Sequence, residues 1–240
     1  QATSGARPTY MADNGAYGVK LDGTNDFLST ASFGLTDTAD ITVLIAARQI
    51  GSGTSVVVSH GRLTGAAGIE MLYNNSVNAL SAGAHDGTNY LANAAPVRAA
   101  PTSYVATALY STAGLTNAER ISVKIDGIDV TENQIASSGT INTGIYSTQT
   151  LYVGARSGTS LFNSMEIYGL LIINRILTAS ELSNVTNWML TRSLQPVFSD
   201  GNILSAGANY RKTDAFSRAS YETAATSVDL TLVNDIYGSY

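Results

Sequence analysis

Short runs of apolar residues, broken by Gly, Asn, Asp and Ser, govern most of this chain. Tyr17, Val19 and Leu21 alternate with Gly18 and Lys20, and the pattern breaks at Asp22-Gly23. ITVLIAARQ (41–49) is a β-branched run without polar alternation, the pattern of a strand covered on both faces. SVVVSHG (55–61), GIEMLYNN (68–75), SYVATALYS (103–111), RISVKIDGIDV (120–130), QTLYVGARS (149–157) and MEIYGLLIINR (165–175) continue the series. Strand-length segments separated by turn residues at this spacing predict a β-sandwich.

One segment carries a helical period, LTASELSNVTNWMLTRSL at 177–194. Thr178 and Glu181 form a capping-box pattern. Leu182, Val185 and Met189 then fall on one face with Trp188 beside them, so the helix is expected to dock on the sandwich with Trp188 in or near the core. Pro196 helps to stop it. From residue 196 to 240 the chain becomes polar and Tyr-rich, with one strand pattern, SVDLTLVND at 227–235. This tail is expected to extend the sandwich, to form an arm onto a neighbour, or to begin a second β domain, leaving residues 1–195 as the main domain.

Composition narrows the chemistry. The 240 residues are 44% hydrophobic, enough for a sizeable core, but only 13% charged against a usual ~25%. The polar surface is therefore built mainly of Ser, Thr, Asn and Gly, which match sugar hydroxyls better than phosphates. A net charge of −5, with Arg211-Lys212 as the longest basic cluster, argues against a nucleic-acid partner. There is no cysteine, hence no disulfide or thiolate metal site. No apolar run reaches the ~18 residues of a membrane span, so no membrane insertion is expected. No signal-peptide pattern opens the chain, and Gln1 reads as a trimmed or processed start.

The segments ATSGARPTY (2–10), GVKLDGTNDFLS (18–29), ADITVLIAAR (39–48), ISVKIDGIDV (121–130), LYVGARSG (151–158) and EIYGLLIINRILTASELSNVTNWM (166–189) fit one family in order and spacing. The chain resembles the concanavalin A-like, laminin-G-like jelly-roll modules of secreted bacterial proteins and bacteriophage structural proteins, over about residues 2–192. The most telling piece is the closing strand, Asn174-Arg175, a short turn and the capped helix. The resemblance implies an all-β fold of two antiparallel sheets of six or so strands, one of them concave. It also implies ligands held in that concavity or at the loop rim. Beyond residue 196 the chain faintly resembles the β-rich segment placed before hydrolase domains of the Gly-Asp-Ser-Leu esterase class.

Catalytic patterns are sparse. Glucanases of this superfamily carry Glu-x-Asp-x-x-Glu on one strand, because glycoside cleavage needs two carboxylates facing across the bond. Here Glu70, Glu119, Glu132, Glu166, Glu181 and Glu222 are isolated, and Glu70 and Glu166 are expected to face outward or lie at the rim. His60 and His85 accompany no nucleophile elbow and are too few for a zinc site. The protein is therefore expected not to be an enzyme.

The chain writes Asp-Gly-Thr-Asn twice, in VKLDGTNDFLS (19–29) and AGAHDGTNYLA (82–92). Asp-Gly is a strong turn signal. The first copy is expected to be a hairpin turn after which Phe27 and Leu28 return to the core. Its Asp22, Asn25 and Asp26 also offer oxygens to calcium, which many modules of the resembled family hold at the rim. The second copy reads as a sugar subsite: Asp86 and Asn89 bond hydroxyls, Tyr90 or Tyr73 stacks on the ring, and Asn74 lies nearby.

Three functions follow. The first is a noncatalytic virion or extracellular structural protein whose jelly roll binds a glycan, a cell-surface polysaccharide or another surface partner. The second is the accessory carbohydrate-binding part of a larger esterase-type hydrolase lying beyond residue 240. The third is a purely structural capsid decoration or tail subunit that contacts other virion subunits and ignores sugars.

Overall fold

The computed structural model describes residues 4–13, 16–31, 40–61, 67–74, 79–97, 99–111, 117–129, 132–137 and 149–193. In chain order the strands are β1 (Thr9–Asp13), β2 (Ala16–Asp22), β3 (Leu28–Thr30), β4 (Ile41–Gln49), β5 (Ser55–His60), β6 (Gly68–Asn74) and β7 (Ala79–His85). They continue with β8 (Tyr90–Pro96), β9 (Thr102–Tyr110), β10 (Ile121–Ile125), β11 (Ile128–Asp129), β12 (Glu132–Ser137), β13 (Leu151–Val153) and β14 (Ser164–Ile173). A single helical turn, α1 (Asn117–Arg120), precedes β10, and α2 (Ala179–Ser193) follows β14. No helix among the described residues is long and apolar enough to cross a membrane.

Among the described residues these strands form two seven-stranded sheets. Sheet A runs β1-β2-β14-β4-β9-β10-β11 and sheet B runs β12-β8-β7-β6-β5-β13-β3. The chain divides into two compact units, Gln1–Ala12 with Tyr17–Ser193, and Asp13–Ala16 with Leu194–Tyr240. The first is the sandwich. The second falls almost wholly outside the described residues, and so does the tail expected at 196–240 with its strand at 227–235.

The side-chain period of two sorts each strand into a face toward the other sheet and a face away from it. Ile41, Val43, Ile45 and Ala47 of β4 enter the core with Tyr104, Ala106, Ala108 and Tyr110 of β9. From sheet B come Ile69, Met71 and Tyr73 of β6 and Leu80, Ala82 and Ala84 of β7. The intervening residues of β4, Thr42, Leu44 and Ala46, point away from sheet B yet are buried too, because α2 packs over β4, β9 and β14. That double burial is why residues 41–49 carry no polar alternation.

Helix α2 begins as its sequence dictates. The Thr178 N–H donates to Glu181 Oε2 (2.9 Å) and the Glu181 N–H donates to Thr178 Oγ1 (3.3 Å), a reciprocal capping box. Arg175 grips the same Glu181 carboxylate with two bonds of 2.8 and 2.7 Å and holds its pKa down at about 2. The Thr42 hydroxyl donates to the Arg175 carbonyl (2.7 Å) and accepts the Leu177 N–H (3.2 Å), which ties the helix start to β4. Leu182, Thr186, Met189 and Leu190 are the buried residues of the helix, and Val185 is half-buried. Each fully buried aliphatic side chain among them contributes about 1.5–3 kcal/mol.

Four expectations change. Trp188 is not in the core: it is 53% exposed, with the Arg192 guanidinium 4.7 Å from its ring centroid. The burial stripe runs through Thr186 and Leu190, which turns Trp188 outward. Residues 120–130 are not one strand but the hairpin of β10 and β11, folded at Asp126-Gly127. Residues 149–157 hold only the three-residue strand β13 before a turn. Strands β7 and β8, left out of the strand series although the second Asp-Gly turn reads as lying between strand-like residues, are full strands of seven residues made mostly of small side chains, ALSAGAH and YLANAAP.

Candidate functional site

The two Asp-Gly-Thr-Asn segments adopt the same local geometry. Asp22 Oδ1 accepts the N–H groups of Thr24 (2.7 Å), Asn25 (3.2 Å) and Asp26 (3.4 Å). Asp86 Oδ1 accepts those of Thr88 (2.9 Å) and Asn89 (2.6 Å), and Asn89 Nδ2 donates to Asp86 Oδ2 (3.3 Å). Gly23 and Gly87 both have positive φ, +80° and +95°, the conformation that makes glycine the residue after each Asp. Each Asp side chain thus closes its own turn. Both copies are the same turn, used twice.

The turns join different things. The second links β7 to β8 as a hairpin, with His85 opposite Tyr90. The first is not a hairpin. β2 lies in sheet A and β3 in sheet B, so residues 23–27 carry the chain from one sheet to the other. Leu28 does not return to the core but is 38% exposed, while Phe27 is half-buried against Tyr152 and Phe162.

As a calcium site the first turn is poorly supplied. One oxygen of Asp22 already accepts three N–H groups, and Asp26 Oδ2 accepts the Asp22 N–H (3.1 Å). The N–H of Thr24 above all holds the Asp22 carboxyl below its usual range, and burial pushes the Asp26 carboxyl above it. Calcium wants six to eight oxygens. No group of three or more acidic or histidine side chains able to hold a metal occurs among the described residues.

The sugar subsite expected around the second turn is only partly assembled. Asp86, Asn89 and the Tyr90 backbone lie together at one end of the β7–β8 hairpin. Tyr73 and Asn74 do not join them. They pair with Leu80 and Ala79 at the far end of β6 and β7, five to six residues along the strand from the pair of Gly68 and His85. Tyr73 is moreover 1% exposed, and its hydroxyl accepts the Ala100 N–H (3.1 Å), so its ring faces the core and not a ligand.

The face of sheet B turned away from sheet A carries several buried residues. Ser59, Glu70, Ser81, Ala92 and Ala94 lie on it and are all buried. Glu70, expected to face outward or lie at the rim, does face outward but is only 2% exposed, and both its oxygens are taken by Arg156, Oε1 by Nε (2.9 Å) and Oε2 by Nη2 (2.5 Å). Glu166 sits on the outward face of sheet A beside Arg48 and the Tyr168 hydroxyl. The two strand glutamates therefore point to opposite sides of the sandwich and cannot flank one glycosidic bond.

A cleft does open on the outward face of sheet A. It has a volume of about 440 Å³ and lies between α2 and the β10–β11 hairpin. Leu109, Ile128, Leu177 and Leu182 supply its apolar wall. Lys124, Asp126, Ser183, Thr186 and Asn187 supply its polar groups. Asp126 is fixed by its own turn: its N–H donates to the Val105 carbonyl (2.8 Å) and its Oδ1 accepts the Val105 N–H (2.7 Å). Lys124 is paired with Asp129 at 2.8 Å. Thr186 is 2% exposed, and its hydroxyl has no hydrogen-bond partner. Apolar surface with a few fixed polar groups, at this size, is the usual character of a small-molecule site. The sequence reading missed all of these residues as a site. Asp126-Gly127 was the available signal, a third Asp-Gly turn lying within a run read as continuous strand.

No protein-family model matches the chain, and no curated protein matches it. Solved structures do. The binding domain of botulinum neurotoxin serotype G superposes with a TM-score of 0.56 at 14% identity, covering 79% of this chain and 48% of that one. The structure from botulinum neurotoxin type C, whose cell entry depends on interaction with two ganglioside molecules, gives 0.57 at 11% identity, covering 77% and 45%. The heptameric SAP-like pentraxin of Limulus polyphemus gives 0.51 at 16% identity, covering 73% and 84%. The fold is a jelly-roll β-sandwich. The jelly roll spans about half the length of the toxin binding domains it matches.

Proposed function

We propose that this jelly roll is a noncatalytic glycan-binding module of an extracellular or virion structural protein. The observation that carries the reading is the amphipathic cleft beside α2, where hydroxyl, amide and apolar groups converge without a catalytic carboxylate pair. The neutral, Ser-, Thr- and Asn-rich composition supports it. So does the likeness to toxin binding domains, one solved in complex with a sialyl sugar and one from a toxin that engages gangliosides. The test is a glycan array probed with the full chain, followed by retention on a column bearing the best polysaccharide. A specific array hit supports the reading. An empty array, with a chain that assembles into large particles on gel filtration, overturns it in favour of a purely structural subunit.

A further inference from the structure

The chain's only tryptophan stands on the solvent side of α2 and is 53% exposed. That leaves on the order of 100 Å² of aromatic surface in water. Single exposed rings are common, so the surroundings decide what this one means. From Ser183 to Arg192 the exposed residues of α2 are Ser183, Asn184, Asn187, Trp188, Thr191 and Arg192. A helix face built for stability alone takes Lys, Glu, Gln or Ala. Ser, Asn and Thr are poor choices there, because their side chains compete for the helix backbone. Thr191 does so, donating its hydroxyl to the Trp188 carbonyl (2.8 Å). A face that gives up local preference without a gain in packing points to function. The chemistry of this face is aromatic, amide and hydroxyl. Its one ionised group is Arg192, whose guanidinium lies 4.7 Å from the indole centroid. Polar residues around an open ring suit a sugar better than a protein partner, which covers a wider apolar patch.

Asn184 and Arg192 stand one turn before and one turn after Trp188, so the three residues form one ridge along the helix. We propose that this ridge is a stacking site for a pyranose ring. The C–H face of the sugar lies on the indole, which removes both apolar surfaces from water. The Arg192 guanidinium braces the indole from one side by cation–π attraction, and the sugar takes the open side. The Asn184 amide, which both donates and accepts, bonds hydroxyls at the edge of the sugar ring. An open-chain polyol has the same hydroxyls but no rigid C–H face, so it is a poor ligand. The inference rests on the glycan-binding reading and supplies its stacking contact, on the helix that walls the cleft.

Because Trp188 is the only tryptophan, indole emission of the full chain reports on this site alone. The probes are methyl β-galactoside, methyl β-glucoside and methyl α-mannoside, with galactitol and glucitol as polyols that lack a ring. A saturable blue shift is expected with at least one pyranoside and with neither polyol. Trp188→Ala is expected to weaken binding of that pyranoside about tenfold, measured by calorimetry, and Trp188→Phe to restore part of the loss. Tyr17→Ala, which removes an equally exposed ring from β2, leaves binding unchanged. Thermal melts check the fold, and Trp188→Ala is expected to fold because the ring is exposed. A flat emission titration with all three pyranosides, or an array-selected glycan held equally well by Trp188→Ala, overturns the stacking site while leaving the glycan-binding function standing. Emission that shifts with protein concentration in the absence of sugar means that a second copy covers the ring, and also overturns it. A flat titration together with an empty glycan array removes both.

Discussion

On the outward face of sheet B, Glu70 is buried and both its carboxylate oxygens are held by Arg156. On the outward face of sheet A, the hydroxyls of Thr107 and Thr186 are as deeply buried and have no partner. The two faces look alike in accessibility and differ in chemistry. The costly group on sheet B, a charge, is matched within the chain, although the Ser59 hydroxyl beside it is not. A neutral hydroxyl without a partner, as at Thr107 and Thr186, is cheaper to leave than an unpaired charge. The lesson is that a lone acid in a strand is no sign of chemistry when an arginine eighty-six residues away completes it.

The comparison breaks most visibly at Arg156. Replacing it with Ala leaves the Glu70 carboxylate buried and unpaired, and urea unfolding should show a loss of about 3–5 kcal/mol. The double variant Glu70→Leu, Arg156→Met should recover most of that loss, since a well-packed apolar pair substitutes for a buried ion pair at little cost. If Arg156→Ala alone costs under about 1 kcal/mol, the pair is solvated and the contrast between the two faces disappears.

Between the faces lies the core, and His60 reports on it. Burial pulls its pKa from the usual 6.5 down to about 4. The folded state then stays neutral through a range in which the unfolded chain takes up a proton. Its contribution to stability is complete above pH 6.5 and is lost as pH falls from 6.5 to 4, by up to about 3 kcal/mol. Denaturation curves of the wild type and His60→Gln, taken from pH 7.5 to 4, should converge as acid is added. Parallel pH profiles would mean that His60 titrates normally and that the core beside β5 admits water.

These particulars explain what could be read beforehand. β4 and the capping box of α2 were legible because a continuous β-branched run and a Thr-x-x-Glu pattern have local physical causes. β7 and β8 were hidden because Ala, Ser and Gly have little strand preference, and only the close approach of neighbouring strands makes a strand of them. Trp188 misled because it lies beside the face of Leu182, Val185 and Met189, whereas the helix turns its buried stripe past it through Thr186 and Leu190. The cleft was illegible for another reason. Its walls come from β9, the β10–β11 hairpin and α2, which only the sheet order brings together.

The helix that walls the cleft offers a smaller test. Thr178→Ala removes the side-chain half of the capping box, and the expected loss is about 1 kcal/mol in thermal or urea unfolding. A cap that matters should also loosen the first turn of α2, visible as faster amide exchange at Glu181 and Leu182. Exchange left unchanged there would assign the helix start to the Thr42 tie instead.

The smallest expected change in stability is the most informative about sheet A. Thr186→Val replaces the unpartnered hydroxyl with a methyl group of nearly the same shape in a buried helix position. A hydroxyl already satisfied would be missed by about 1 kcal/mol on removal, because the bond itself is lost. A hydroxyl without a partner costs its desolvation for nothing, so its removal should leave stability within about 0.5 kcal/mol of wild type or raise it slightly. Urea midpoints at constant m distinguish the two. Setting that result beside Arg156→Ala measures the contrast directly: one outward face pairs its buried polar group within the fold, and the other leaves a buried hydroxyl unpartnered. A loss of 1 kcal/mol or more at Thr186 would show that the fold already uses the hydroxyl, and the two faces would then be alike.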